Sequence, residues 1–354
     1  MEKRYFSGSN SGTGFFNHFD GLVPEWDTIN RYFMIKGGPG VGKSTLMKAV
    51  VKQAEKTGEE IECFYCSGDP DSLDGVRLVK RGIVLADATA PHAMDPKYPG
   101  AVEEIVSLGE YIVRDKIVAY RDEIETLTKA NKQGYSRAYA YLGAAAVLAE
   151  ARQKEAEACV DKKKLSAVTE ELNERIREKE GREEKETPGG TTENGGERRL
   201  FLDAISCKGM LSFRENFFAG RELYRVTGEC KDVLADCIGR QIKGRKREVF
   251  CNPLRPNCRN HMWLPDAALG ITFGEGENGH VIDGETLLAR RCPGITTDYR
   301  KEVLYLEEQA VVCLKECKRM HDDLEKIYRE CVDFHKVSEC TEVLLAFMES
   351  VVYA

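Results

Sequence analysis

The prediction of the fold rests on one stretch of sequence, Gly37-Gly38-Pro39-Gly40-Val41-Gly42-Lys43-Ser44-Thr45. It fits the pattern G-x-x-x-x-G-K-[ST], in which glycines allow backbone N–H groups to turn toward phosphate oxygens. An apolar run at 32–35 precedes the stretch, and a helix-forming run at 46–52 follows it. The sequence therefore predicts a strand, a phosphate-binding loop and a helix whose N-terminus adds positive charge at the phosphate.

The nine residues of this stretch are the predicted nucleotide-binding residues: Gly37, Gly38, Pro39, Gly40, Val41, Gly42, Lys43, Ser44 and Thr45. In such a loop the lysine reaches the β- and γ-phosphates and the serine hydroxyl binds Mg²⁺. A third apolar run at 83–86 ends in Asp87, the position at which NTPases place an acidic residue that holds Mg²⁺ directly or through water. We therefore predict Lys43 and Asp87 as catalytic residues, and Ser44 and Asp87 as metal ligands.

Two further segments, 67–75 and 88–100, follow predicted strands and are rich in polar residues. In open α/β sheets, the loops beyond the carboxyl ends of the strands build the ligand site. Asp69, Asp71 or Asp74 would then orient a nucleophile or bind a partner of the metal, and His92 would contact phosphate or act as an acid or base. The alternative is that these are ordinary turn residues.

The apolar runs at 32–35, 60–66 and 81–87 are continuous, which is typical of strands that are buried on both faces. The fold class that follows is α/β, with a P-loop NTPase-like parallel sheet flanked by helices. We also expect a short helix at 15–22 and helical extensions at 102–176 and 299–354.

The chain contains an internal repeat. Residues 159–172 and 331–344 are identical at eight of 14 positions, and Arg4-Tyr5-Phe6 aligns with 199–201. In the second copy the glycine stretch is replaced by 228–233, which lacks the second glycine, the Gly-Lys pair and the Ser or Thr. We therefore predict an NTPase domain at 1–177, a charged, glycine-rich flexible linker at 178–198, and a degenerate copy at 199–354.

Composition and charge limit the partners and the cellular location that we expect. The net charge of −7 disfavours nucleic acid as a partner, and no apolar stretch approaches the roughly 18 residues of a membrane span. The N-terminus carries no signal-peptide pattern, so the thirteen cysteines are expected to be reduced thiols in a cytoplasm. We predict a cytoplasmic protein without membrane contact, and we leave open a protein partner or a homo-oligomer.

With these motifs in place, the chain resembles a P-loop NTPase, and more narrowly a bacterial group of tandem P-loop ATPases or nucleotide-kinase-like proteins. The resemblance rests on K-G-G-P-G-V-G-K-S-T at 36–45, C-S-G-D-P-D-S-L-D-G-V at 66–76 and the segment 87–105. It implies binding of ATP with Mg²⁺, and hydrolysis or phosphoryl transfer. Members of that group commonly carry a phosphate loop in both halves, and this chain departs from them at 228–233.

The hypothesis that follows is a Mg²⁺-dependent ATPase with one site in the first half, closed or regulated by the second half. A small-molecule or nucleotide kinase would use the same loop with an acceptor hydroxyl in place of water. A nucleotide-gated interaction module would bind ATP with negligible turnover. Five arginines of the second half are candidate cations for phosphoryl transfer: Arg240, Arg245, Arg247, Arg290 and Arg291.

Overall fold

A computed structural model describes residues 2–90, 93–181, 196–274, 276, 278–289 and 297–351. The predicted site residue His92 lies outside these residues. The described part of the first half contains eight strands and four α-helices: β1 (Glu2–Phe6), β2 (Gly8–Ser11), β3 (Gly14–Asn17), β4 (Arg31–Lys36), α1 (Lys43–Lys56), β5 (Ile61–Tyr65), β6 (Leu73–Leu78), β7 (Ile83–Asp87), β8 (Glu103–Ser107), α2 (Arg114–Val118), α3 (Arg121–Cys159) and α4 (Lys162–Glu180).

The described part of the second half repeats this order with small changes. Its elements are β9 (Glu197–Leu200), β10 (Asp203–Ser206), β11 (Gly209–Ser212), α5 (Arg214–Phe218), β12 (Glu222–Thr227), α6 (Lys231–Gln241), β13 (Arg247–Cys251), β14 (Arg259–Leu264), β15 (Leu269–Phe273), β16 (His280–Asp283), α7 (Thr297–Cys331) and α8 (Phe334–Ser350).

Each half contains a six-stranded sheet of the same topology. The first sheet has the order β1-β5-β6-β7-β4-β8, and only β6 runs antiparallel to its neighbours. The second has the order β9-β13-β14-β15-β12-β16, and here only β14 is antiparallel. The prediction of a mixed α/β protein with two similar halves and mostly parallel sheets flanked by helices is therefore confirmed.

Strand β4 is buried on both faces, which explains its continuous apolar sequence. Phe33 and Ile35 face a core that includes α1, while Tyr32 and Met34 face the opposite side. That opposite side is an aromatic core shared with the second half, to which Phe217 and other residues contribute. The two halves are thus held together by a core that neither sheet encloses alone.

The last helix of each half packs on the other half. Val337, Leu344 and Met348 of α8 belong to the core beneath α1, while Leu165 and Ile176 of α4 belong to the core beneath α6. Each helix thereby supplies the apolar face that covers the opposite sheet.

Backbone hydrogen bonds fix both exchanged helices at matching positions. The Asp333 N–H, at the start of α8, donates to the Tyr111 carbonyl (2.9 Å), and the Asp161 N–H, at the start of α4, donates to the Leu287 carbonyl (2.8 Å). Between the halves, α3 and α7 pair antiparallel along most of their length, as the contacts of Tyr120 with Glu330 and of Arg137 with Glu316 show. Residues 182–195 of the predicted linker lie outside the described residues, while 178–180 end α4 and Glu197 begins β9.

The predictions of helix at 102–176 and at 15–22 are each wrong in part. Residues 103–107 form the edge strand β8 rather than a helix start, because Glu103 is buried and its carboxylate accepts the backbone N–H groups of Lys97 and Tyr98. The segment 15–22 contains the end of β3 and a single 3₁₀ turn at Phe19–Leu22. In both places local tertiary contacts override a pattern that favours a helix.

Two findings concern the predictions about membrane spans and about the redox state of the cysteines. Among the described residues, no helix has the length and apolar character that crossing a membrane requires. Eleven of the described cysteines carry free thiols, but Cys159, at the end of α3, is disulfide-bonded, so the expectation of reduced thiols throughout is wrong at this position. The cytoplasmic location stays a prediction.

Glu307 on α7 should make the protein less stable at high pH. Its partial burial raises the pKa of the carboxyl group to about 7. The folded protein therefore holds a proton between about pH 4.5 and 7 that the unfolded chain releases, and stability falls as the pH rises through this window. We expect Glu307→Gln to raise the free energy of unfolding by about 1–3 kcal/mol at pH 8 and to have little effect at pH 4. Urea denaturation at both pH values measures this, and an equal effect at both would contradict it.

Candidate functional site

The glycine loop (Gly37–Gly42) leaves the carboxyl end of β4 and enters α1. Gly40 and Gly42 adopt left-handed backbone conformations, with φ of 69° and 102°, and Gly42 is the N-cap residue of α1. No side chain caps this end of the helix, so its first N–H groups are available to a ligand. The loop therefore presents backbone donors at the positive end of a 14-residue helix.

Lys43 lies folded over the glycine loop. Its Nζ donates to the carbonyl oxygens of Gly37 and Gly38, both at 2.8 Å, and lies 3.5 Å from Oδ2 of Asp87. The side chains of Lys43 and Asp87 are both mostly buried. Because β4 and β7 are parallel neighbours, their carboxyl ends bring these two predicted site residues together.

Thr89 connects Asp87 to the start of the loop, a role that sequence reasoning missed. The Asp87 Oδ1 atom accepts the Thr89 N–H (2.9 Å), and the Thr89 hydroxyl donates to the Gly37 carbonyl (3.1 Å). The Thr89 side chain thus holds the loop against the end of β7. The threonine in the Asp-Ala-Thr sequence was the available signal.

Ser44 joins the loop to the segment that follows β5. Its Oγ accepts the backbone N–H of Leu73 at 3.0 Å, and Leu73 begins β6. The acidic segment 67–74 is therefore attached to the first turn of α1, on the same edge of the sheet as the glycine loop.

The three aspartates of this segment occupy different environments. Asp69 accepts the Ser72 hydroxyl (2.7 Å) and lies 3.5 Å from Nζ of Lys318 on α7. The Asp71 side chain is 77% exposed and pairs with Lys208 of the second half. Asp69 is thus mostly buried beside α7, whereas Asp71 points to solvent and to the second half.

Asp74 is the aspartate that interacts with the charged centre. It lies buried in β6, and burial together with the nearby charge of Asp87 raises the pKa of its carboxyl group to about 8. The charge of Lys43 opposes this shift. At neutral pH, the Asp74 carboxyl group is therefore mainly protonated and adds little negative charge beside Asp87.

The equivalent loop of the second half is filled by its own carboxylates. Two residues separate Gly228 from Lys231, whereas five separate Gly37 from Lys43. The Glu229 carboxylate pairs with Arg152 of α3 and with Arg300 of α7, and its N–H donates to Oε1 of Glu285 (2.8 Å). The loop of the second half is therefore shorter than the glycine loop of the first half, and the carboxylates of Glu229 and Glu285 already lie at it.

Helices α7 and α8 pack directly on the glycine loop. A Cβ atom on Gly38 would lie 2.7 Å from the Tyr328 ring, and one on Gly40 would lie 2.7 Å from the Glu325 carbonyl oxygen. Gly42 is similarly close to Val337. The glycines therefore provide space for the second half as well as backbone freedom.

Of the five candidate arginines, the three that the structure describes are paired away from the glycine loop. Arg245 pairs with Glu180 and Arg247 with Glu197, both at the core of the second half, and Arg240 donates to the Cys237 thiol. Arg290 and Arg291 lie outside the described residues.

In comparison with known families, the model of the family Nephrocystin 3, N-terminal, matches residues 17–101. This domain occurs in proteins that contain P-loop NTPases, and the matched segment includes the glycine loop, α1 and Asp87. Comparisons with curated proteins and with solved structures gave no match.

Proposed function

We propose that the first half binds ATP with Mg²⁺ at the glycine loop and hydrolyses it, and that the second half binds no nucleotide. One observation carries this proposal: Lys43 and Asp87 meet at the N-terminus of α1, which no side chain caps, at the ends of two neighbouring parallel strands. The family match over residues 17–101 supports it.

The residues present fit a Mg²⁺-bound triphosphate. Gly40 and Gly42 carry no Cβ atom and adopt left-handed conformations, so their backbone N–H groups can turn toward phosphate oxygens. Lys43 would exchange its two carbonyl contacts for contacts with phosphate oxygens. Mg²⁺ is usually held by one or two protein side chains together with substrate phosphates, and Ser44 and Asp87 provide these. Among the described residues no group of three or more His, Cys, Asp or Glu could hold a metal ion, so the phosphates would complete its coordination.

Two aspartates would complete the site. Asp69, mostly buried beside α7, would orient the attacking water, while protonated Asp74 would keep the negative charge near Asp87 low. A kinase would instead bind an acceptor hydroxyl in place of the water that Asp69 would orient. Release of phosphate without any added acceptor would distinguish an ATPase from a kinase. His92 stays a prediction.

Titration calorimetry with Mg·ATP should give one nucleotide per chain. The wild-type protein and Glu229→Gln should bind with the same stoichiometry and an affinity within about twofold, because Glu229 belongs to the filled loop of the second half. Phosphate release measured with the four common NTPs then identifies the base and the reaction. A stoichiometry of two, or loss of binding in Glu229→Gln, would contradict the assignment to the first half.

A further inference from the structure

One face of α7 lies against the glycine loop. Lys318, His321, Glu325 and Tyr328 are spaced by three or four residues, so they form one stripe along the helix. Glu325 and Tyr328 contact Gly40 and Gly38. Lys318 lies on the same face, seven residues before Glu325, which is about 10 Å along the helix axis.

Lys318 is directed at the acidic segment that is attached to the loop. Its Nζ lies 3.5 Å from Oδ1 of Asp69 and also pairs with Asp322, and its side chain is only 25% exposed. The segment of Asp69 is bonded to Ser44 through the Leu73 N–H. The ammonium group of Lys318 therefore lies at the acidic segment that Ser44 attaches to the first turn of α1.

The two long helices of the repeat differ on this face. With Cys331 of α7 aligned to Cys159 of α3, the buried residues of the pair match: Ala310, Leu314 and Cys317 correspond to Ala138, Leu142 and Ala145. In the same alignment, the stripe from Lys318 to Tyr328 corresponds to Ala146, Ala149, Gln153 and Ala156.

The charged stripe thus occurs only where the glycine loop is intact. The shared packing of α3 and α7 does not require a lysine at position 318, because α3 makes the equivalent packing with alanine at position 146. A lysine on a packing helix that is not needed for packing points to a ligand-directed role.

We propose that Lys318 contacts the terminal phosphate of the triphosphate bound at the glycine loop, so that the second half contributes directly to the site. This inference rests on the proposed function. Asp69 and Asp87 add negative charge next to a polyphosphate, and Lys43, beside Asp87, supplies one ammonium group. A second ammonium group on a flexible stem can move from Asp69 to the phosphate when the nucleotide binds.

The test compares the affinities for Mg²⁺ with a non-hydrolysable ATP analogue and for Mg·ADP, measured by calorimetry. In Lys318→Met, binding of the analogue should weaken about tenfold while binding of ADP changes less than twofold, because ADP lacks the terminal phosphate. Lys318→Arg should restore most of the difference. The control is Lys326→Met, on the same helix but 71% exposed and paired with Asp323.

The outcomes separate the two proposals. An equal loss for both nucleotides in Lys318→Met, or no loss for either, would overturn the role of Lys318 and leave the glycine-loop site in place. Absence of nucleotide binding in the wild-type protein would reject the proposed function itself. If Lys318→Met does not fold, Lys318→Gln keeps a polar side chain at this position, and its ratio of analogue to ADP affinity decides by the same criterion.

Discussion

Lys43→Ala should lower the affinity for Mg·ATP by at least about 100-fold. The lysine supplies the ammonium group at the positive end of α1, and without it the negative charge of Asp87 is no longer balanced beside the phosphates. Calorimetry with Mg·ATP measures the loss. The melting temperature should also fall, because the mostly buried Asp87 carboxylate loses its ammonium partner, so affinity is compared at a temperature at which the variant is folded.

Lys52→Ala is the matched control, because Lys52 is an exposed lysine about two and a half turns further along α1. We expect it to bind Mg·ATP as the wild-type protein does. If Lys43→Ala also keeps its affinity while remaining folded, the glycine loop is not the nucleotide site.

Arg198→Leu should destabilise the protein by about 3–5 kcal/mol, because it removes the arginine that donates to both oxygens of the buried Glu62 carboxylate and leaves that carboxylate with Arg77. Arg198 lies between the two halves. It donates to both carboxylate oxygens of Glu62 (2.9 and 2.7 Å), to Glu248 (3.1 Å) and to the Gly21 carbonyl (2.7 Å). Urea denaturation at pH 7 measures the loss of free energy of unfolding.

The control for this variant is Arg121→Leu, which removes a largely exposed pair with Glu125 and should cost less than about 1 kcal/mol. Burial disfavours ionised Glu62, but the charges of Arg198 and Arg77 outweigh it and lower the pKa of Glu62 to about 2. The contribution of this pair is therefore present above about pH 4.5 and is lost as the pH falls toward 2. A loss in Arg198→Leu no larger than that in Arg121→Leu would contradict the role of this network in joining the halves.

The sequence predicted the parts of the site that local chemistry determines. The β4 strand, the glycine loop and α1 follow from an apolar run, a glycine pattern and a helix-forming run. The meeting of Asp87 with Lys43 follows from the parallel arrangement of two strands that are buried on both faces.

Strand β6 was missed because its polarity is satisfied only in the folded chain. It contains Asp74, Gly75 and Arg77, yet all six of its residues are buried. Arg77 pairs with Glu62, and a Cβ atom on Gly75 would lie 2.7 Å from the side chain of Leu22. Neither contact has a local signal, so the antiparallel strand that carries Asp74 to the charged centre was not predicted.

The exchange of α4 and α8 was missed for a different reason. An amphipathic pattern indicates that a helix buries one face, but it does not identify the surface that covers that face. The repeat at 159–172 and 331–344 indicated equal roles for the two segments, and each packs on the opposite half. The positions of Tyr328 and Lys318 at the glycine loop follow from this exchange, and the loop sequence alone gave no indication of them.

The most direct test of a single nucleotide site is a crystal structure of the protein with Mg²⁺ and a non-hydrolysable ATP analogue. The account predicts one nucleotide per chain, with its phosphates bound by the backbone N–H groups of the glycine loop and by Lys43, and Mg²⁺ near Ser44 and Asp87. Phosphates bound at Gly228–Lys231, or at any site away from Lys43, would contradict it.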